Sequence, residues 1–201
     1  MAEGFEVALI LGSLRAESWN RRVAELLVEE SPDHLHYRLV RLREIPPYDD
    51  DDWRAGEPSP VAELRALLDA AHGVVVDTPS YNHGIAGLVK NALDWVSRPP
   101  FQGPLLGKAS AAMSVTTGRL EPAVPARQAR DTLAICGAVV MDEPDLLVRS
   151  VAHKVREHGG EWPDEIRLRV REFGARFAEH VGAVVSAHET SDPERGGGGE
   201  G

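Results

Sequence analysis

The sequence predicts one α/β domain, a parallel sheet with helices on both faces. Short apolar runs and amphipathic helical patterns alternate along the chain, which is the sign of parallel strands joined by crossover helices. Two of the runs, residues 7–11 and 73–78, lead through turns rich in Gly, Pro, Ser and Asn into helices, and both turns collect polar groups.

The first unit is Val-Ala-Leu-Ile-Leu followed by Gly12-Ser-Leu-Arg-Ala-Glu-Ser-Trp-Asn20. Ser18 suits the N-cap of a helix whose apolar positions Trp19, Val23, Leu26 and Leu27 are three or four apart. The free N–H groups and dipole of a helix start favour an anion there, and Ser13, Arg15, Ser18 and Asn20 add side-chain donors. Residues 36–42 alternate as an edge strand does. Residues 45–60, with four prolines and the run Asp49 to Asp52, read as an irregular solvated loop, because consecutive carboxylates on an open loop do not converge on one ion. Val61, Leu64, Leu67, Leu68 and Ala71 form the apolar face of a second helix that feeds the strand at 73–78.

The third helix carries Ile85, Leu88, Val89, Ala92, Leu93 and Val96 on its apolar stripe, with Lys90, Asn91, Asp94 and Trp95 on the flanks. A Trp beside such a stripe packs, and here packing across a subunit interface is one option. A fourth strand is expected at 108–117, then a helix with Ala129, Leu133 and Cys136 inward, a fifth strand at 138–141, and a last helix at 161–187. Residues 1–187 therefore read as one domain. Residues 188–201, Gly-rich and without an apolar side chain, read as a disordered tail.

Lys and Arg number 22 against 32 Asp and Glu, a net charge of −10, which opposes attraction to nucleic acid or an anionic membrane. Cys136, the single cysteine, allows no intrachain disulfide or redox dithiol and is read as a small core residue. No apolar run approaches the ~20 residues that span a bilayer, and a cytoplasmic protein is expected.

The two turns together resemble the NADPH-dependent FMN reductase family. Gly12, Ser13, Arg15, Ser18 and Asn20 match its first motif, G-S-x-R-x-x-S-x-N. Pro79, Tyr81, Asn82, Gly87, Lys90, Asn91, Ala92, Asp94 and Trp95 match its second, while Ser80, Gly84 and Ala86 stand where the family usually has Glu, Ser and Pro. The resemblance implies a flavodoxin-like three-layer sandwich with strand order 2-1-3-4-5 and the ligand crevice at the carboxyl ends of strands 1 and 3. It further implies FMN, with its phosphate on Ser13, Arg15, Ser18, Asn20 and the amides after Gly12. The flavin edge would lie along Pro79, Ser80, Tyr81 and Asn82, with Ser114, Thr117 and Gly118 bordering the far side; Glu121 and Pro122 replace the usual Gly pair.

By the same resemblance the partners are NAD(P)H and a small electron acceptor, such as a flavin, quinone, azo or nitro compound or metal oxyanion, and the assembly is a homodimer. No catalytic side chain is required, because the flavin accepts hydride while the protein binds, orients and excludes water. Two alternatives stay open: a flavodoxin-like electron carrier, and a flavin-free binding protein on the same fold.

Overall fold

The structure, a computed structural model, describes residues 4–191. Its elements follow in the order β1 (Phe5–Leu11), α1 (Trp19–Glu30), β2 (Leu35–Arg41), α2 (Asp50–Ala55), α3 (Ser59–Ala70), β3 (Gly73–Asp77), α4 (Gly87–Val96) and β4 (Ala109–Val115). After them come α5 (Ala123–Ile135), β5 (Val139–Val140), β6 (Leu146–Val148), α6 (Val151–Glu157) and α7 (Asp164–Ser191). The strands pair in parallel in the order β2-β1-β3-β4-β5, with β6 also on β4, the arrangement the sequence implied with one strand more.

The alternation of side chains along each strand divides the core in two. Val7, Leu9 and Leu11 of β1 pack with α1, α6 and α7 on one face, and Ala8 and Ile10 pack with α3, α4 and α5 on the other. Register then aligns the exits: Leu11 lies opposite Asp77, and Asp77 opposite Met113, so the loops after β1, β3 and β4 open on one edge. Strand order reverses between β1 and β3, which places a crevice at that edge.

Three expectations are corrected. The segment read as a wholly irregular loop contains α2, because the Asp49 carboxylate accepts the Asp51 N–H at 2.8 Å and caps it, while Asp50, Asp51 and Asp52 sit in the first turn, where the dipole favours them. The fifth strand is broken: β5 pairs only with the start of β4, β6 pairs with its end, and Asp142-Glu-Pro144 intervenes. Arg130 braces that excursion, donating to Met141 O at 2.5 Å and to Asp145 at 2.9 Å. The short α6 was not expected. The last helix starts at Asp164 and runs to Ser191, four residues beyond the boundary read at 187; residues 192–201 lie outside the described residues.

Trp95 packs, as its place beside the apolar stripe indicated. Its side chain is fully buried, its Nε1 donates to Pro46 O at 2.9 Å, and its ring meets Tyr48 edge-on at 5.0 Å between centroids. It packs within the chain, leaving no surface for a second subunit. Among the described residues no helix is long and apolar enough to cross a membrane.

Candidate active site

Gly12 sets how closely the first two loops approach. A Cβ there would stand 2.4 Å from Asp77 O, 2.7 Å from Pro79 Cδ and 2.8 Å from Val89 Cγ2, so only glycine lets the exits of β1 and β3 cross at this distance. Its N–H donates to Asp77 Oδ2 at 3.3 Å. Beyond it, the N–H groups of Ser13, Leu14 and Ala16 make no hydrogen bond within the described residues. Arg43 Nη2 pins the loop from outside by donating to Leu14 O at 3.2 Å.

Ser18 is the N-cap the sequence marked, its Oγ accepting the Arg21 N–H at 3.4 Å, and Ser13 Oγ accepts the Arg15 N–H at 3.4 Å. Both hydroxyls keep their own O–H to donate. Arg15 is exposed, and its guanidinium has no ion pair or hydrogen bond among the described residues. Asn20 is different. Only 7% exposed, it donates to Val115 O at 3.2 Å and accepts the Val115 N–H at 3.3 Å, so its amide acts as one more ladder partner for β4 and latches α1 to the fourth loop. Asn20→Ala would strand both buried Val115 groups, and urea denaturation is expected to show a loss of about 2–3 kcal/mol.

The loop after β3 is closed at its base by Thr78, whose Oγ1 accepts the Ala86 N–H at 3.0 Å. At its tip Asn82 and His83 take φ of 53° and 62°, and Gly84 N–H donates to Tyr81 O at 3.0 Å, the two left-handed residues and closing bond of a type I′ turn. Asn tolerates that region, which explains Asn82 here but leaves its side chain exposed at the tip. Gln128 of α5 steadies the loop by accepting the Ile85 N–H at 2.7 Å.

In the loop after β4, Thr116 Oγ1 donates to Leu120 O at 3.0 Å and Ser150 Oγ to Gly118 O at 3.0 Å. Glu121 is paired with Arg149 at 2.5 Å, and Pro122 precedes α5.

These loops enclose a cavity of about 190 Å³ lined by Ser13, Arg15, Ser18, Trp19, Asn20, Pro79, Ser80, Tyr81, Val115, Thr116, Thr117, Gly118 and Leu120. Nine residues singled out from sequence thus meet at one place. Gly12 lines instead a neighbouring space of about 420 Å³ on the far side of Arg15 and Tyr81. Asn82 and Ser114 line neither, Ser114 being fully buried within β4. A larger groove of about 600 Å³ runs along β2 and α3, away from the strand exits, and gathers none of these groups.

Sequence reasoning missed Trp19 and Leu120 in the lining, and it missed Asp77. Asp77 is fully buried, and burial pushes its carboxyl up to about 8 against the lowering effect of the Gly12 N–H. The signal was a carboxylate ending a strand of valines. Cys136 is half-buried, and burial pushes its thiol up, away from the thiolate that reactivity needs.

The donor set fits a flavin mononucleotide. Free loop amides, two hydroxyls and an unpaired guanidinium suit a phosphate, and the buried Ser80 Oγ, which has no partner among the described residues, faces the demand that a ring heteroatom would meet. Comparison with known proteins agrees. The profile of the NADPH-dependent FMN reductase family matches residues 5–153. The chain is 30% identical over 172 residues to an NAD(P)H-dependent FMN reductase of Pseudomonas aeruginosa, covering 86% of this chain and 92% of the relative. It is 32% identical over 181 residues to a quinone reductase of Pseudomonas putida, covering 90% and 97%. Among solved structures, FerB, a flavoenzyme NAD(P)H:(acceptor) oxidoreductase of Paracoccus denitrificans, superposes with a TM-score of 0.80 at 27% identity, covering 89% of this chain and 98% of that one. The chain belongs to the NADPH-dependent FMN reductase family and is an FMN-dependent NAD(P)H oxidoreductase.

Proposed function

We propose that FMN lies in the crevice between the three loops with its phosphate on the loop after β1, and that the electron acceptor is a small quinone. The observation that carries the placement is the convergence of Arg15, Ser13, Ser18 and the unpaired Ser80 hydroxyl on one cavity at the exits of β1, β3 and β4. Ser13, Ser18, Arg15 and the amides after Gly12 hold the phosphate, and Asn20 acts behind them by fixing α1 to β4. Pro79, Ser80 and Tyr81 flank the ring on one side, and Thr117 and Gly118 on the other, with Asn82 shaping the turn and Ser114 packing beneath. Bound FMN supplies the acceptance of hydride from NADPH or NADH and its delivery to the acceptor. The chain supplies position and shelter. Quinone is favoured because several relatives of similar length, the Pseudomonas putida protein among them, bear that activity in their names.

The reading extends to one domain working in the cytoplasm as a homodimer. Tyr81 and Leu120 in the cavity lining and Leu14 in the neighbouring space remain exposed, and a second copy would cover them. Sedimentation at micromolar concentration is expected to show a species of twice the 21.9 kDa chain mass; a fully active monomer would refute the dimer.

Arg15→Ala tests the placement. Charge-assisted hydrogen bonds contribute about 1.5–3 kcal/mol, so the FMN dissociation constant is expected to rise by about one to two decades. Riboflavin, lacking the phosphate, should bind the parent weakly and the variant no worse. If the parent binds riboflavin as tightly as FMN, the placement is wrong.

A further inference from the structure

β3 reads Gly-Val-Val-Val-Asp, and its one polar side chain lies directly behind the loop that follows β1. Asp77 is fully buried; its Oδ2 accepts the Gly12 N–H at 3.3 Å and its Oδ1 has no partner among the described residues. An ionised carboxylate so placed would have one long hydrogen bond, no cation and almost no water. The charged groups on the elements around it are Glu6 of β1, Arg15 and Glu17 of the first loop, Arg21, Arg22, Glu25, Glu29 and Glu30 of α1, His83 of the second loop, Lys90 and Asp94 of α4, and Arg119 and Glu121 after β4. Arg21 pairs with Glu25, Lys90 with Asp94 and Glu121 with Arg149, Arg22 lies over the Trp19 ring, and none pairs with Asp77. At the same height β1 offers Leu11 and β4 offers Met113.

We propose that Asp77 is a positioning residue that works as a neutral carboxyl, holding the phosphate loop to β3 through Gly12, so that FMN binding and proton binding at Asp77 are coupled. The proposal rests on the phosphate lying on that loop. A phosphate carries a charge of about −1.5 to −2 at neutral pH, and a second anion on the reverse side of the same loop would repel it across a region that excludes water. A protonated Asp77 removes the repulsion.

The direction follows from the burial that already pushes this carboxyl up to about 8. Below that pH the group is neutral and FMN binds without penalty; above it the free protein has lost the proton, and FMN must bind beside a carboxylate or recapture the proton. Affinity therefore falls as pH rises through about 8, by at most tenfold per pH unit. The cofactor phosphate, with a second pKa of about 6, is already fully charged in this range.

FMN and riboflavin titrations at about pH 7 and about pH 9.5, on the parent and on Asp77→Asn, test it, riboflavin reporting ionisations of the ring and of other site groups. The expected result is an FMN dissociation constant about tenfold higher at the upper pH in the parent, a change under about twofold in Asp77→Asn, and little change for riboflavin. Calorimetry of the parent at about pH 8.5 in two buffers of different ionisation enthalpy needs no variant: FMN should take up part of a proton and riboflavin none. Equal pH slopes in parent and Asp77→Asn, or no proton uptake with FMN, overturns the proposal. If Arg15→Ala leaves the preference for FMN over riboflavin intact, the phosphate placement fails and the proposal with it; if that preference collapses while the parent slope is flat, the Asp77 proposal alone is wrong.

Discussion

Gly12→Ala is expected to cost about 2–4 kcal/mol of stability and to weaken FMN binding by at least about a hundredfold. The added carbon would lie 2.4 Å from a backbone oxygen, Asp77 O, so no side-chain rotation relieves it, and Pro79 and Val89 close the other directions. The constraint is space. Relief requires the exits of β1 and β3 to part, which breaks the Gly12–Asp77 bond and displaces the loop amides from the loop after β3. Gly118 makes the control for stability, since a carbon added there meets nothing within 4 Å, and Gly118→Ala should leave the unfolding free energy within about 0.5 kcal/mol of the parent. Urea denaturation of both variants and FMN titration of Gly12→Ala check the pair; equal stabilities would refute the close crossing.

Trp95→Ala is expected to lose about 3–5 kcal/mol, a large part of the ~5–15 kcal/mol that holds a domain folded. The indole is fully buried, rests against Tyr48 and reaches Pro46 O. Asn91 supports the same segment, donating to Pro46 O at 2.7 Å and accepting the Tyr48 N–H at 2.7 Å. Two residues of the second motif therefore fasten the chain after β2 onto α4 rather than touch the cavity. Trp95→Phe should keep the ring contact and lose only the hydrogen bond, about 0.5–1.5 kcal/mol. Sedimentation of the folded variants should match the parent, and dissociation into half-mass species would place Trp95 at an interface after all.

The layout was legible where one interaction dominates. In β1 and β3 consecutive apolar residues serve two cores at once, and Gly12 and Ser18 mark the turn and cap between them, so the crevice could be placed from residues 7–20 and 73–82. Legibility failed where the deciding partner is far along the chain. Asn20 looked like one more phosphate donor, yet its partner is Val115, 95 residues away. Trp95 sits on the flank of a helical wheel, and only the return of Pro46 to Tyr48 over α4 buries it. The fifth strand breaks because the excursion at 142–145 is held by Arg130 from α5, which no strand propensity reports. Asp77 was visible as an exception among valines, but its meaning depends on Gly12 crossing above it.

The FMN-loaded protein mixed anaerobically with NADPH or NADH gives the most direct test of the account. The visible flavin absorbance should bleach within minutes at a rate proportional to nucleotide concentration, and a small quinone should restore it. If dithionite bleaches the bound flavin while neither nucleotide does, the chain is an electron carrier on this fold and the reductase assignment is wrong.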